Sequence, residues 1–409
     1  MRIAYFVWEY PPKLVGGLGT YASQMVPRIA KYGNRVTVFT LNDGTLPTSE
    51  FYENIEIHRP KIIDAVEIMN LIVDENLKSW GTYLGFFNQI FSYNYLSAAK
   101  FLNELQKNEK YDLVVVHDWL SAIAGIIIKR NTDIPLVAHF HSTEQQRVGD
   151  GCKTIKQLEG KLAQTADMII TVSYAMRDHL ISLGYPQEKI NVVWNGCDVD
   201  KYNLDKVNWD LVNKLRERYN IKYEKIILFI GRLTWIKGVE NLILGFPYVL
   251  KEFPNTKLII LGKGEEYNDI IDIIERLNIK DKVIVRSEFV SEEERIAHYA
   301  LADICVFPSF SEPFGIVSLE AMALKKPVVV GASGISGFRE QVIPSGEEQT
   351  GYHVDGKRPE DIAWGIKELL RHPEKAKRLG ENGRKRVETI FNLDKVASNT
   401  LFLYKKVIS

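Results

Sequence analysis

Short apolar runs alternate with helical patterns along this 409-residue chain, and that alternation constrains its fold more than any other feature. In the first half, the runs typical of buried strands are Ile3 to Trp8, Arg35 to Thr40, Leu113 to His117, Leu136 to His139 and Met168 to Val172. The second half repeats the pattern with Ile226 to Gly231, Lys257 to Gly262, Val283 to Ser287, Ile304 to Phe307 and Pro327 to Gly331. Alternating strands and helices favour a parallel sheet covered by helices. The sequence therefore predicts an α/β fold with two doubly wound sheets.

The length of the chain also favours two domains, because one hydrophobic core rarely organises so many residues. Between the two sets of strands, Val192 to Tyr202 forms a strand-like run that enters an Asn-Gly turn. We expect a first domain over residues 1–198 and a second over 199–391. Residues 392–409 have helical spacing and are predicted to form a terminal helix.

The composition disfavours some kinds of partner and of site. Lys plus Arg and Asp plus Glu both number 52, so the net charge is zero and only a local patch could attract nucleic acid or an anionic bilayer. The cysteines, Cys152, Cys197 and Cys305, are scattered and odd in number, which disfavours a disulfide framework or a zinc site. We find no signal peptide at the N-terminus and no apolar stretch near the roughly 20 residues that span a bilayer. A cytoplasmic protein is expected; the oligomeric state stays open.

Two glutamates, Glu312 and Glu320, lie in a run that follows the apolar strand ending near Pro308. Pro313 disfavours helix at Glu312, whereas Val317 to Leu324 has helical spacing, so one carboxylate is expected on the loop and the other in the helix. Carboxylates accept hydrogen bonds from hydroxyls, and helix N-termini bind phosphate. The pair therefore indicates a ligand that carries both groups, such as a nucleotide sugar.

This run resembles the Glu-x7-Glu motif of retaining glycosyltransferases of the GT-B fold, the superfamily of glycogen and sucrose synthases, and its Glu-Pro-Phe-Gly is closest to glycosyltransferase family 4. The resemblance implies two Rossmann-like domains that face each other across a cleft. It implies a donor bound mainly by the second domain, an acceptor mainly by the first, and a terminal helix that packs back on the first. It also implies that neither a metal nor another cofactor is needed.

The segment Gly231 to Gly238 resembles the family's Gly-Arg-Leu-x-x-x-Lys-Gly motif. Sugar transfer from a nucleoside diphosphate builds negative charge on the departing phosphate, so cations placed there favour the transition state. The planar guanidinium of Arg232 offers several N–H donors in a fixed arrangement, and the ammonium of Lys237 offers a compact charge on a flexible side chain. Both are predicted to be catalytic.

The resemblance assigns further roles around the glutamate pair. Glu320 would bind the ribose hydroxyls and Glu312 a hydroxyl of the transferred sugar, as a positioning residue rather than an assured nucleophile. Phe314 and Gly315 would contribute backbone contacts to the donor.

Two other segments of the second half resemble nucleoside-binding parts of the family. Gly262 belongs to a Gly-Lys-Gly-Glu run that resembles Gly-Asp-Gly-x-Glu, and Val290 to a segment whose backbone contacts the base. Tyr299 is a weaker candidate. The later segment that resembles Gly-Gly-x-x-Glu has Ser336 at its first glycine position, so that loop is expected to sit differently.

A glycine-containing loop follows the first predicted strand. Gly16 and Gly17 match the family's Gly-Gly loop, in which the backbone approaches the donor closely. Lys13 resembles the lysine of the glycogen synthase Lys-x-Gly-Gly-Leu motif, although two residues separate it from Gly16. We assign Lys13 to the acceptor side.

Histidines mark the ends of two other strands in the first half. His141, in a Phe-His-Ser-Thr-Glu setting, resembles the family histidine that lies beside the donor sugar, and we predict that it is catalytic; His139 is the second choice. His117, Asp118 and Trp119 resemble the His-Asp-Trp of glycogen synthases and are assigned to the acceptor side.

Asp198 and Asp200 have the spacing of a metal-binding pair. The segment matches the linker of the resembled family more closely, so we expect no metal there.

The resulting hypothesis is a retaining hexosyltransferase that moves glucose from UDP- or ADP-glucose to a carbohydrate, with elongation of an α-glucan favoured. A family 4 enzyme with a small sugar or lipid acceptor is the alternative. A nucleotide-sugar epimerase, a sugar phosphorylase and a non-catalytic binding protein are the alternatives from other classes.

Overall fold

The computed structural model describes residues 1–14, 16–80 and 83–409. The chain forms two compact units, of which the first comprises Met1–Trp194 with Asp394–Ser409 and the second Asn195–Leu393. Each unit is built on its own sheet.

The first unit contains a sheet of eight strands in the order β3-β4-β2-β1-β5-β6-β7-β8. Their bounds are β1 (Arg2–Phe6), β2 (Arg35–Phe39), β3 (Ser49–Tyr52), β4 (Ile55–His58), β5 (Leu113–His117), β6 (Leu136–Phe140), β7 (Met168–Thr171) and β8 (Ile190–Val192). Only β3 pairs antiparallel, with β4. All five strands predicted in this half are confirmed. The β3–β4 hairpin was missed, because β3 lies at the edge of the sheet and is mostly exposed.

The helices that precede residue 194 are α1 (Gly17–Lys31), α2 (Val66–Ile72), α3 (Glu75–Lys78), α4 (Leu84–Gln106), α5 (Ala122–Asn131), α6 (Glu144–Val148), α7 (Lys153–Thr165) and α8 (Tyr174–Ser182). Helix α1 shows why they form: Tyr21, Met25 and Ile29 recur every fourth residue and are buried along one stripe. The helix ends just before Gly33, whose φ of 80° suits a residue without a Cβ.

The second unit contains six parallel strands in the order β11-β10-β9-β12-β13-β14. Their bounds are β9 (Lys225–Ile230), β10 (Thr256–Leu261), β11 (Val283–Arg286), β12 (Ile304–Phe307), β13 (Val328–Gly331) and β14 (Gly351–Val354). The five strands predicted here are also confirmed. Ile227, Phe229 and Ile260 are fully buried in the core beneath the helices. Burial of each such side chain stabilises the fold by about 1.5–3 kcal/mol, which gives the connecting loops a rigid base.

The helices of the second unit are α9 (Trp209–Arg218), α10 (Val239–Leu250), α11 (Tyr267–Arg276), α12 (Glu292–Leu301), α13 (Ile316–Ala323), α14 (Phe338–Gln341), α15 (Pro359–Arg371) and α16 (Pro373–Thr389). The last helix, α17 (Leu393–Ile408), belongs to the first unit from Asp394 onward. Its Tyr404 hydroxyl hydrogen-bonds His139 Nε2 over 2.9 Å. Among the described residues, no helix combines the length and the apolar character that crossing a bilayer requires.

Candidate active site

The strand order of the second unit places the predicted donor-binding loops side by side. From β9 the chain proceeds outward through β10 to β11, and then returns to begin the other half of the sheet at β12, next to β9. Ligands of open α/β sheets bind at such a switch point, beyond the carboxyl ends of the strands. Arg232 and Lys237 follow β9, and Glu312 follows β12. The topology therefore brings together residues that are 75–80 positions apart in sequence.

Lys237 and Glu312 form an ion pair at this switch point. The Lys237 ammonium donates to Glu312 Oε2, and the Ser309 hydroxyl lies 3.4 Å from the same oxygen. The side chain of Glu312 is 10% exposed and that of Lys237 20% exposed, so the pair is largely buried but retains some contact with solvent. A cation and a carboxylate held together in this way offer one partner for a phosphate and one for a hydroxyl.

Arg232 differs from Lys237 in having no ion pair or hydrogen-bonded side-chain contact among the described residues. Its side chain is exposed, one residue beyond Gly231. The guanidinium is therefore available to an incoming anion without first breaking an internal contact.

Close backbone approach explains two of the predicted glycines. A Cβ at Gly262 would overlap the carbonyl oxygen of Gly231, because the loops after β10 and β9 touch there. Gly315 has a φ of 86°, and a Cβ on it would overlap the ring of Phe338. Gly315 also caps α13, the helix that carries Glu320. Glu312 lies on the loop and Glu320 in the helix, as the sequence predicted.

Glu320 is 4% exposed and accepts hydrogen bonds on both oxygens. Oε1 accepts from the Tyr202 hydroxyl at 2.8 Å and from Arg295 at 3.2 Å, while Oε2 accepts from the Tyr299 hydroxyl at 2.8 Å. The charge of Glu320 raises the pKa of Arg295. The pKa of Tyr299 is raised mainly by burial, and the charge of Glu320 adds to that effect. A carboxylate has about four lone-pair directions, so this network fixes the side chain and leaves acceptor capacity for a ligand.

Arg295 and Tyr202 are the residues around Glu320 that sequence reasoning missed as site residues. Tyr202 lies in the segment interpreted only as a linker, and Arg295 lies on α12 outside every motif. Their role becomes visible only when the fold brings them to Glu320. Tyr299, a weaker candidate from sequence, contacts Glu320 directly.

The backbone of Glu312 is fixed by the segment that follows β13. Its N–H donates to the Ile335 carbonyl at 2.7 Å, and the Gly337 N–H donates to the Glu312 carbonyl at 2.8 Å. Ser336, where the resembled family has glycine, is buried and donates to the Gly331 carbonyl at 2.8 Å. This hydrogen bond accommodates the serine next to Glu312.

Two further donor-side candidates have contrasting surroundings. Phe314 is 2% exposed, and its carbonyl already accepts from Gln341 Nε2 at 2.6 Å. Val290 is half-buried in the loop between β11 and α12. Their predicted backbone contacts stay predictions.

In the first unit, three histidines lie together where β5 and β6 end. His117 and His139 are paired in register across these strands, and His117 Nδ1 lies 2.9 Å from His141 Nε2. The rings are stacked, with centroids 4.6 Å apart for His117 and His139 and 5.2 Å apart for His117 and His141. Burial lowers the pKa of all three, most strongly for His117 and His139. The imidazoles are therefore neutral at pH 7.

Asp118 positions His141. It accepts a hydrogen bond from the His141 N–H at 2.7 Å, and burial raises the pKa of this carboxyl. Its backbone has a φ of 52°, a conformation that costs on the order of 1–3 kcal/mol for a residue other than glycine. The neighbouring Trp119 is 3% exposed and packs in the core with Trp8, so it can shape an acceptor surface only through other residues.

The other first-unit candidates lie around the start of α1. Gly16 and Gly17 have open space where a Cβ would stand, and the Gly16 N–H donates to Glu9 at 2.9 Å. Lys13 forms an ion pair with Asp43. Val15, in the same predicted loop, lies outside the described residues.

Two groups of side chains among the described residues have the composition of metal sites: the three histidines above, and Glu56 with His58 and Glu104. In the histidine group, the 2.9 Å contact between His117 Nδ1 and His141 Nε2 is that of a hydrogen bond between two imidazoles. The carboxylate of Asp198 instead accepts from the backbone N–H groups of Asp200 and Lys201 at 3.2 and 3.0 Å, as in a turn.

Comparison with known proteins defines the class. A family profile described as Glyco_transf_4, Glycosyltransferase Family 4, matches residues 15–201, and one described as Glycosyl transferases group 1 matches residues 212–386. The structure is similar to that of sucrose-phosphate synthase from Thermosynechococcus elongatus, with a TM-score of 0.77 and 24% identity over 99% of this chain and 98% of that one. The fold is thus GT-B.

The sequence comparison places the chain within that class. An uncharacterized glycosyltransferase of Methanocaldococcus jannaschii is 30% identical over 99% of this chain and 98% of its own length. A glycogen synthase of Mycobacterium tuberculosis is 29% identical over 99% of this chain and 94% of its own. The chain belongs to the glycosyltransferases of the superfamily that unites family 4 with the glycogen synthases.

Proposed function

We propose that this protein is a retaining hexosyltransferase that transfers glucose from a nucleoside-diphosphate sugar to a carbohydrate acceptor, with an α-glucan favoured. The observation that carries the proposal is the Lys237–Glu312 ion pair at the switch point of the second sheet, with the unpaired Arg232 on the same loop as Lys237. This set of side chains suits a ligand with a diphosphate and neighbouring hydroxyls.

The cations would act on the leaving group. As the bond between sugar and diphosphate breaks, negative charge grows on the phosphate oxygens. Arg232 and Lys237 would stabilise this charge, and therefore the transition state, more strongly than the ground state. Lys237 would exchange part of its contact with Glu312 for the phosphate, whereas Arg232 has no contact to give up. Cationic side chains supply this stabilisation without a metal ion, so we propose that transfer is metal-independent.

Glu312 is proposed to hold a hydroxyl of the transferred sugar. Its negative charge is partly neutralised by Lys237, which makes it a weaker nucleophile, and the ion pair holds the carboxylate in one orientation for accepting a hydrogen bond. Retention would then follow from attack by the acceptor on the face that the leaving group vacates.

His141 is proposed to lie beside the donor sugar. Burial lowers its pKa, so it would offer a neutral imidazole whose position is set by the backbone contact with Asp118. A neutral imidazole can hydrogen-bond a sugar hydroxyl without adding charge.

The preference for an α-glucan rests on the similarity to a glycogen synthase along nearly the whole chain and on the His117-Asp118-Trp119 sequence. A lipid acceptor is the second candidate. It is supported by apolar side chains that α2 leaves exposed: Ile68 by 59%, Leu71 by 79% and Ile72 by 70%. Apolar patches of this kind often mark contact with another molecule.

Release of nucleoside diphosphate tests the proposal. UDP-, ADP- and GDP-glucose would be supplied with and without glycogen, each in the presence of EDTA. We expect glycogen-dependent release from UDP- or ADP-glucose that EDTA does not suppress. Glycogen elongated by labelled glucose would then be digested with enzymes specific for α or β linkages, which tests retention.

The outcomes separate the candidates. Release with diacylglycerol or a small sugar but not with glycogen would replace the α-glucan by that acceptor. Binding of the donor without release for any acceptor would overturn transferase activity. Loss of release on addition of EDTA, restored by a divalent ion, would overturn metal independence.

A further inference from the structure

A largely buried cluster of two carboxylates and one imidazole joins β4 and α4 of the first unit. Glu56 and His58 are two residues apart on this strand, so their side chains emerge on the same face of the sheet. Glu104, from α4, meets them there. The order β4-β2-β1-β5 puts β4 three strand spacings, or roughly 14 Å, from the strand that ends at His117. The cluster is thus separate from the proposed transfer residues of this unit.

The three side chains direct one atom each toward a common point. His58 Nε2 lies 2.8 Å from Glu56 Oε1 and 3.3 Å from Glu104 Oε1. All three ligand atoms lie within 4.8 Å of one another. Ligands bonded to one ion at about 2.0–2.2 Å are themselves separated by about 2.8–3.6 Å. The cluster needs only small side-chain movements to reach that geometry.

His58 directs Nε2 at the two carboxylates. The side chain is 6% exposed, and Nε2 pairs with both Oε1 atoms when the ring is protonated. The other ring nitrogen, Nδ1, lies 3.1 Å from the Ser49 hydroxyl. Metal-binding histidines are oriented in this way, with one nitrogen held by a neighbouring polar group and the other directed at the ion.

The neighbouring groups hold the outer oxygens of the carboxylates. Arg2 lies 3.6 Å from Glu56 Oε2, and the Tyr111 hydroxyl donates to Glu104 Oε2 at 2.7 Å. Both Oε1 atoms are left facing His58. Lys100 lies 3.2 Å from Glu104 Oε1, but its side chain is 49% exposed and can turn to solvent when an ion binds. A cavity of about 230 Å³ lies next to the cluster and is lined by Ser49, His58 and Lys100 among others.

We propose that Glu56 Oε1, His58 Nε2 and Glu104 Oε1 bind a divalent first-row transition metal ion such as Zn²⁺. One nitrogen and two oxygen ligands suit Zn²⁺, and a water molecule completes the coordination. Binding requires Lys100 to leave Glu104 Oε1 and requires Nε2 to be without a proton. The ion fastens β4 to α4 and is structural, so the proposal is independent of glycosyl transfer.

Calorimetric titration of the chelator-treated full chain with ZnCl2 tests the site. We expect one ion per chain, with an affinity that falls at least tenfold in Glu104→Gln and in His58→Gln. Glu109→Gln is the matched control, because Glu109 also pairs with Arg2 but contributes no ligand atom. A second control, His141→Gln, removes the other metal-capable group and should leave binding unchanged.

Thermal unfolding distinguishes a metal site from a variant that fails to fold. Zn²⁺ should raise the Tm of the wild type and of Glu109→Gln but not that of Glu104→Gln, whose amide keeps an acceptor for Tyr111. No zinc binding by the wild type, or binding that survives in both His58→Gln and Glu104→Gln, would overturn the proposal. Binding that is lost in His141→Gln would move the ion to the histidine group and overturn it equally. Nucleoside diphosphate release can succeed or fail without affecting either result.

Discussion

At the scale of single residues, the two halves of the glutamate pair have different surroundings. Glu312 pairs with the Lys237 ammonium and lies near the Ser309 hydroxyl, whereas Glu320 is held by two tyrosine hydroxyls and an arginine. A group that binds ribose hydroxyls gains from a fixed orientation, because less freedom is lost when the ligand binds. A group next to the reacting bond gains from a partner that can be exchanged.

Glu320→Ala should weaken the binding of nucleoside diphosphate by at least tenfold. The change removes the proposed ribose acceptor and leaves Tyr202, Tyr299 and Arg295 without it, so the free energy of unfolding should also fall by about 1–3 kcal/mol. Calorimetric titration and urea unfolding measure the two effects. Tyr299→Phe is the control, since it loosens the network but keeps the carboxylate. Equal affinity in the alanine variant and the wild type would contradict the ribose assignment.

Arg232→Ala should lower kcat at least tenfold with little change in stability. The guanidinium is exposed and unpaired, so its loss should change the free energy of unfolding by no more than about 0.5 kcal/mol. Combination with Lys237→Ala should lower kcat further, because charge on the leaving group peaks in the transition state. Steady-state kinetics measure this, with Arg378→Ala, an exposed arginine of α16, as control. Unchanged turnover in the double variant would remove both residues from catalysis.

At the scale of elements, α7 supports the loop that carries His141. Glu159 of this helix is 1% exposed, and its Oε1 accepts from the Glu144 N–H at 2.8 Å. Burial raises the pKa of Glu159 to about 8, against the hydrogen bond from the Glu144 N–H and the charge of Arg147. The nearby carboxyls of Asp118 and Glu144 contribute to this raised value. The loop therefore rests on a carboxyl that is protonated at neutral pH.

This carboxyl should make the stability of the protein fall as pH rises. The pKa of Glu159 is raised from 4.5 to about 8 by folding, so its contribution is complete below pH 4.5 and is lost as pH approaches 8. The slope is at most about 1.4 kcal/mol per pH unit. Glu159→Gln keeps an acceptor for Glu144 but cannot ionise. Urea midpoints should be measured at pH 5, 6.5 and 8. The midpoint of the variant should rise relative to that of the wild type as the pH increases.

The exposed residue Glu381 provides the control for that experiment, since Glu381→Gln should follow the wild type at every pH. Parallel pH profiles for Glu159→Gln and the wild type would show that Glu159 is ionised in the folded state.

The elements also show which parts of the fold a sequence can reveal. Strands such as β1, β5 and β9 are buried and apolar, so composition alone identified them. The short edge strand β3 is polar and exposed, and only its pairing with β4 makes it a strand. The cluster of Glu56, His58 and Glu104 escaped notice for the same reason, since it depends on that part of the sheet and on α4.

At the scale of the whole molecule, hydrogen bonds join the beginning and the end of the second unit. The Cys197 N–H donates to the Phe391 carbonyl at 2.8 Å, and Arg384 donates to the carbonyls of Tyr202 and Ala323 at 2.6 and 2.9 Å. These contacts join its first and last residues around a complete six-stranded sheet. Such a unit has the features of a domain that can fold alone.

The fragment of residues 195–393 should therefore fold and bind nucleoside diphosphate without the rest of the chain. Circular dichroism should show α/β secondary structure with a cooperative thermal transition, and calorimetry an affinity within about tenfold of the full chain. The same fragment with Glu320→Ala serves as control and should lose binding. A folded fragment that does not bind would show that the first unit supplies an essential part of the donor site.

The sequence by itself determined the α/β class, the two sets of parallel strands and the local placement of the donor-side candidates. Arg232, Lys237 and Glu312 follow strands, and Glu320 lies in the next helix. The sequence did so because apolar periodicity and local backbone preferences are written in neighbouring residues. Tertiary structure alone decided which side chains meet. Residues from different strands and helices come together in three such contacts. These are the ion pair of Lys237 with Glu312, the ion pair of Arg295 with Glu320 and the stacking of His117 on His139. Such contacts depend on strand order and register, which no local pattern encodes.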